Sequence, residues 1–224
     1  CKFTNKESEF KESFYIVLPF NKCTKNNYKL NKNMLITGPN AAGKTTLLKS
    51  TLFNILISQQ LGCGCYTSAK INPYDYLHCY LNIPDTSQRD SLFQSEARRC
   101  KDILSLIEKN KDKRHFCIFD ELYSGTNPYE AISTSHAYLS YLSENKNIKF
   151  MITTHYIKLC ESLKSNKKTI NKHMEIIEKD EIFTYTYKLK NKISKIKGGI
   201  KVLKDLNYPD DIIKDTKSFL QNNF

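Results

Sequence analysis

The sequence predicts an α/β domain with a mostly parallel central sheet flanked by helices, a β-hairpin, and a closing helix-turn-helix tail. Three observations predict it. Short uninterrupted apolar runs alternate with segments of helical apolar spacing, which is the signature of strand–helix units. One run, Met34-Leu35-Ile36-Thr37, passes through a glycine-containing turn directly into a helical segment. Beyond His155 the pattern changes to two extended runs around Lys179-Asp180, the pattern of a hairpin.

Taken in order, Phe14 to Leu18 is expected as a short strand and Met34 to Thr37 as the next. A helix is expected from about Gly43 to Leu61, then a strand of aromatic and aliphatic residues from Tyr74 to Leu81. Ser91 to Asn110 places Leu92, Ala97, Ile103, Leu104 and Ile107 at helical spacing. His115 to Phe119 is a continuous apolar strand, followed by a helix from about Pro128 to Ser143 and a buried strand from Phe150 to Thr153. In the hairpin, His173–Ile177 and Ile182–Leu189, the alternation of Phe183, Tyr185, Tyr187 and Leu189 puts them on one sheet face. Helices Ile200–Leu206 and Asp210–Leu220 close the chain, with Pro209 marking the second start. No repeat or low-complexity tract appears, so residues 1–195 are expected as the body of one domain and 196–224 as its helical tail.

Composition narrows the class. The 224 residues are 40% apolar and 26% charged, which excludes wholesale disorder. The longest apolar stretch, Leu47 to Leu61, is broken by Lys49, Asn54, Gln59 and Gln60, so a membrane-spanning helix is excluded. Eight scattered cysteines without a Cys-x-x-Cys pair speak for a reduced, intracellular setting over a disulfide framework. The chain opens Cys1-Lys2-Phe3 with neither Met nor an apolar leader, and is expected to be a piece of a longer polypeptide. Net charge is +12, but only four of the 35 cations are Arg and no dense basic block occurs. Contact with nucleic acid is therefore expected to be weak, salt-sensitive and driven by charge alone.

The sharpest feature is Gly38-Pro39-Asn40-Ala41-Ala42-Gly43-Lys44-Thr45, which fits Gly-x-x-x-x-Gly-Lys-[Ser/Thr] at every fixed position. Small residues let converging backbone N–H groups wrap a phosphate, and the helix N-terminus adds partial positive charge. Lys44 is expected to neutralise the β- and γ-oxygens of ATP, Thr45 to ligate Mg²⁺, and Thr46 to complete the loop. Apolar Phe116-Cys117-Ile118-Phe119 then ends in Asp120-Glu121, which places one carboxylate at the metal and the next at the γ-phosphate. Asp120 is expected to hold Mg²⁺ through water and Glu121 to act as general base on the attacking water. Thr153-Thr154-His155 ends the following strand, where His155 faces the ligand crevice as a γ-phosphate sensor.

Ile36 through Thr46, with these other motifs, resembles the ATPase domain of the MutS family of DNA mismatch-repair proteins, within the ABC-type ATPases. Asp120-Glu121-Leu122 followed by Gly125-Thr126-Asn127-Pro128 is similar to that family's Walker B and the dimer-contacting loop after it. Thr153-Thr154-His155-Tyr156 resembles its His motif, and Gly199-Ile200 with Pro209 and Ile212-Ile213 its closing helices, with Asn207 where the family favours Gly. Ser87 to Glu96 resembles a divergent form of the segment that reaches the partner's nucleotide, with Leu92 in place of the usual Thr.

The resemblance implies ATP hydrolysis with Mg²⁺ in a composite-site dimer of two such domains. Ser91 would touch the γ-phosphate in trans, although its place before Leu92 also suits a helix cap. It implies a tail packed on the partner and mismatched or structured DNA bound by domains absent from these residues. Two other readings fit the motifs: another ABC-type ATPase head, of a transporter or a chromosome-maintenance protein, and a nucleotide-gated dimerisation module with little hydrolysis. Phe20 and Tyr28 are the aromatic candidates for stacking on adenine. Phe10-Lys11-Glu12 matches the family's mismatch-wedging tripeptide by chance, since it lies immediately before the ATPase motifs.

Overall fold

The computed structural model describes residues 1–81, 91–179, 182–194, 196 and 198–223. Its strands are β1 (Lys2–Phe3), β2 (Glu9–Ser13), β3 (Asn26–Lys29), β4 (Asn33–Thr37), β5 (Ser68–Ile71), β6 (Tyr76–Tyr80), β7 (His115–Asp120), β8 (Ile148–Thr153), β9 (Thr169–Lys179) and β10 (Ile182–Asn191). The helices are α1 (Lys44–Leu61), α2 (Leu92–Lys109), α3 (Pro128–Glu144), α4 (Ile157–Ser162), α5 (Gly199–Asp205) and α6 (Asp210–Asn223).

The main sheet runs β10-β9-β4-β8-β7-β6, parallel from β9 to β6, with β10 antiparallel at one edge. Its central strands are apolar on both faces because both are covered. Leu35, Cys117, Phe119, Phe150 and Ile152 meet α2, α3 and α4 on one side. Met34, Ile36, Phe116, Ile118 and Met151 meet α1 and a second, four-stranded sheet of order β1-β5-β2-β3 on the other. Because α1 is sandwiched, it buries Ser50, Thr51, Asn54 and Ser58 as well as Leu47, Leu48 and Ile55. Asn54 makes this burial tolerable: its amide donates to Ser13 Oγ at 3.1 Å and Phe14 O at 3.2 Å, and accepts from Cys65 N at 2.7 Å.

Three expectations change. The strand expected over 14–18 is irregular there, and the strands that precede it are β1 (Lys2–Phe3) and β2 (Glu9–Ser13). Phe10 and Ser13 point inward, whereas Ile16, Val17 and Leu18 stay exposed, so that apolar run has no face to pair against. Phe10 is fully buried against the rings of Tyr28 and Tyr66, which makes it a core residue. In the hairpin the register shifts between Tyr185 and Leu189, and Tyr187 takes φ +55°. Phe183, Tyr185 and Leu189 pack on the core, while Tyr187, its ring stacked against that of Tyr185, extends over Gly43.

The end of α5 follows expectation. Asn207 is left-handed at φ +56°, and its N–H reaches Lys204 O at 2.9 Å while Tyr208 N–H reaches Leu203 O at 3.0 Å. These paired bonds close the helix and tolerate Asn in place of Gly.

In the middle of β6 and at the start of β7, His78 and His115 are buried with Nε2 and Nδ1 3.0 Å apart, and His115 Nε2 meets Asn110 O at 2.9 Å. Donation to that carbonyl leaves Nδ1 to accept from a neutral His78. Burial, then the neighbouring His115 and Arg99, lower the His78 pKa to about 4. The folded state therefore binds fewer protons than the unfolded chain, so stability is full above about pH 6.5 and declines toward pH 4. Urea unfolding is expected to show about 2 kcal/mol less stability at pH 5 than at pH 7 from this residue. His78→Gln should flatten that dependence; an unchanged slope would show that His78 is not its source.

Candidate functional site

The loop from Gly38 to Gly43 lies between β4 and α1 and turns through backbone conformations that small residues tolerate. Ala41 has φ +62° and Gly43 φ +90°, and Gly43 is the N-cap of α1. A Cβ on Gly43 would also come 3.0 Å from the Tyr187 ring. No side chain caps α1 and no acidic residue occupies its first turn, so its N–H groups carry no built-in anion. Lys44 is buried, and its ammonium donates to Gly38 O at 2.9 Å and Pro39 O at 3.1 Å.

Sheet order brings the other motifs to this loop. β8 sits between β4 and β7, pairing Thr153 with Ile36 on one side and with Asp120 on the other. Thr153 Oγ1 donates to Asp120 Oδ1, and Thr45 Oγ1 donates to Asp120 Oδ2 at 2.8 Å. A hydroxyl and a carboxylate held together at a strand end form a hard-oxygen pair suited to Mg²⁺, which takes few protein ligands and completes its shell with phosphate and water. Thr45 and Asp120 would hold it.

Glu121, at φ +55°, turns its carboxylate toward the loop. Its Oε1 lies 2.6 Å from His155 Nε2 and 3.8 Å from Lys44 Nζ, while Lys44 Nζ lies 3.4 Å from His155 Nε2. The hydrogen bond from His155, then the charges of His155 and Lys44, hold the Glu121 carboxyl below its usual range against the effect of burial. Burial lowers the Lys44 pKa, and the carboxylates of Glu121 and Asp120 oppose it. Lys44, Thr45, Asp120, Glu121 and His155 thus form one connected cluster.

Beside it opens a cleft of about 480 Å³, the size of a small-molecule site. Asn40, Ala41 and Thr46 line its loop side; Phe14, Tyr15 and Tyr187 supply aromatic walls. Neither aromatic expected for adenine lines it. Tyr28 is a core residue whose hydroxyl bonds Ser13 at 3.2 Å and Thr51 at 2.9 Å, both inside the protein. Phe20 is exposed outside the lining, edge-on to Phe14 and beneath Lys25. Tyr187 escaped sequence reasoning because alternation says only that it shares a face with Phe183, Tyr185 and Leu189; no local signal marks the bulge that carries it over the loop.

Ser91 lies outside this cluster. It caps α2, accepting from Gln94 N at 3.3 Å, while Gln94 Oε1 accepts from Ser91 N at 2.9 Å. Residues 87–90 of its segment fall outside the described residues. Asn127 likewise caps α3, accepting from Tyr129 N and Glu130 N with Pro128 in the first helical position. The sequence pattern places Glu96 only at the end of the Ser87–Glu96 motif, yet it is buried and bonds the turn after Glu121. Its signal was legible: a carboxylate spaced four residues from both Leu92 and Cys100, on the apolar face of a helix.

Comparison with known proteins places the chain in a family. The family model described as MutS domain V matches residues 34–223. A DNA mismatch repair protein MutS of Persephonella marina is 31% identical over 217 residues, covering 93% of this chain and 24% of that protein. The protein of the same name from Aquifex pyrophilus is 31% identical over 84% of this chain and 22% of its own length. Endonuclease MutS2 of Lactobacillus helveticus is 29% identical over 84% of this chain and 23% of its own. The chain thus spans about a quarter of the length of the curated relatives it matches. Since the matched span includes the loop, both strand ends that face it and the closing helices, the chain belongs to the MutS family, as its domain V.

Proposed function

We propose that this chain binds ATP with Mg²⁺ and hydrolyses it as the motor domain of a MutS-like DNA mismatch-repair protein, in an ABC-type dimer. One observation carries the reading: Lys44, Glu121 and His155 meet within 3.8 Å at a helix N-terminus that has no side-chain cap, beside the Thr45–Asp120 pair. The triphosphate fits along the loop from Gly38 to Thr46, with its nucleoside in the cleft against Tyr187, Phe14 and Tyr15. Mg²⁺, held by Thr45 and Asp120, would supply charge neutralisation to the triphosphate. Glu121 accepts a proton from water as the water oxygen bonds the γ-phosphorus; the bond to the β,γ-bridging oxygen breaks, releasing ADP and phosphate. Lys44 stabilises the charge gathering on the leaving side, and His155 contacts the γ-phosphate.

Two features support the dimer. Ser91 uses an oxygen lone pair for its cap, leaving its O–H able to donate to a phosphate from the partner. On the tail, Val202, Leu206, Ile212 and Phe219 are apolar and exposed, as a surface meant to be covered requires. Since only ATP offers a γ-phosphate to Ser91 and His155, hydrolysis weakens the closed pair and couples nucleotide state to the clamp formed by the rest of the protein. Mismatched or structured DNA belongs to regions outside these residues. Among the described residues no helix is long and apolar enough to cross a membrane, and the site is intracellular in this reading.

Mg²⁺-dependent phosphate release tests the proposal. Tyr187→Ala is expected to raise KM for ATP roughly five- to tenfold through lost ring contact, with kcat nearly unchanged. No phosphate release with Mg²⁺ present, or a Tyr187→Ala KM equal to that of the unmodified chain, would contradict the site or the base pocket respectively.

A further inference from the structure

We propose that Glu96 is a positioning residue for hydrolysis: its carboxylate clamps the turn after Glu121 and so fixes the direction of that base. The inference rests on the hydrolytic reading above. Glu96 is 3% exposed on the inner face of α2. Its Oε1 accepts from Ser124 N and Ser124 Oγ, both at 3.0 Å, and its Oε2 accepts from Gly125 N at 3.0 Å. Charge-assisted bonds to backbone N–H groups are strong ones, and here a buried carboxylate takes two, with a serine hydroxyl as its third donor.

The clamped turn needs holding. Glu121 and Tyr123 have φ of +55° and +56°, left-handed conformations that cost about 1–2 kcal/mol each for residues with a Cβ. A second contact ties the same two elements. A Cβ on Gly125 would come 2.6 Å from Leu92 Cγ and 2.8 Å from Phe93 N, so the turn lies flush against the first turn of α2. Glu96 also stands five residues from Ser91, the cap of the same 18-residue helix. The end of α2 that would meet the partner's nucleotide is therefore fastened to the turn that aims this chain's own Glu121. An engaged Ser91 holds α2, α2 holds Ser124 and Gly125, and those residues hold Glu121 over the γ-phosphate.

The test is Glu96→Gln, which keeps the volume but sets an amide N–H₂ against backbone N–H donors. Expected results are a kcat roughly 10- to 100-fold lower, the cost of a misplaced catalytic group, with the ATP Kd within about threefold. Amide exchange should accelerate at Ser124 and Gly125 but not in the core of α1. Gly125→Ala, which pushes the turn off α2 with Glu96 intact, should reproduce the same split. Faster exchange at Ser124 and Gly125 with an unchanged kcat would overturn the proposal. So would a fall of kcat and affinity together with a lowered Tm, the mark of a merely structural residue. Absence of turnover in the unmodified chain would remove the hydrolytic reading itself, and is distinguishable because no variant is involved.

Discussion

Lys44→Ala is expected to abolish measurable ATP turnover, with affinity for ATP lowered on the order of 10²–10³-fold. Lys44 is the only side-chain cation in the loop, and two charge-assisted hydrogen bonds to phosphate are worth about 1.5–3 kcal/mol apiece. The variant should still fold. It leaves Gly38 O and Pro39 O without their donor, a cost of about 1–2 kcal/mol, but it also removes an ammonium whose burial already disfavours its charge. Calorimetric titration with ATP and a thermal melt together check this. Wild-type affinity in a folded Lys44→Ala chain would take the triphosphate away from this loop.

Glu121→Gln separates binding from chemistry. The amide keeps the side chain's size and its reach to His155 but cannot take the water's proton, so turnover should fall 10²- to 10⁴-fold while ATP still binds. The pH dependence has a defined sign. With its pKa held below the usual 4.5 by the His155 hydrogen bond and by nearby positive charge, Glu121 stays ionised as pH falls. The acid limb of the rate profile should then lie below pH 4.5, and stability contributed by this carboxylate is lost only on passing downward through that lowered pKa. Phosphate release from about pH 3 to 9 in the unmodified chain and in Glu121→Gln measures the acid limb, and urea unfolding over the same range measures the stability.

These predictions draw on residues that were legible before any coordinates, and the reason is local. Lys44, Thr45, Asp120 and His155 each sit at a fixed offset from the end of an apolar strand, where strand direction alone sets which way they face. The parallel order follows from the same alternation of apolar runs and helices. What stayed hidden depends on contacts between distant segments. The second sheet contributes few inward side chains per strand, such as Phe10 of β2 and Ala69 and Ile71 of β5, too few to register as periodicity. Phe14 to Leu18 looked like a strand because it is apolar, but pairing needs a neighbour and a buried face, and it has neither. The places of Tyr28 and Tyr187 likewise depend on distant contacts. Tyr28 is drawn inward by hydroxyl partners on β2 and α1, whereas the two extra residues of the β10 bulge carry Tyr187 over Gly43.

The weak hydrophobic patterning of α1 has the same origin. A helix covered on two sides gains from polar side chains that bridge its coverings, so Asn54 and Ser50 stand where a helix packed on one side would show only Leu and Ile. Glu96 belongs to this class too: a polar residue on an apolar face, retained because the partners it satisfies lie in another element.

The account stands on one spatial claim, that the loop after β4 and the acidic end of β7 enclose a single Mg–ATP. A crystal structure of the Glu121→Gln chain soaked with ATP and Mg²⁺ measures it directly. The account predicts β- and γ-phosphates against the backbone N–H groups of Ala41 to Thr45, the metal between Thr45 Oγ1 and the Asp120 side, and His155 at the γ-phosphate. Nucleotide density elsewhere on the molecule, or a metal far from both Thr45 and Asp120, would contradict it.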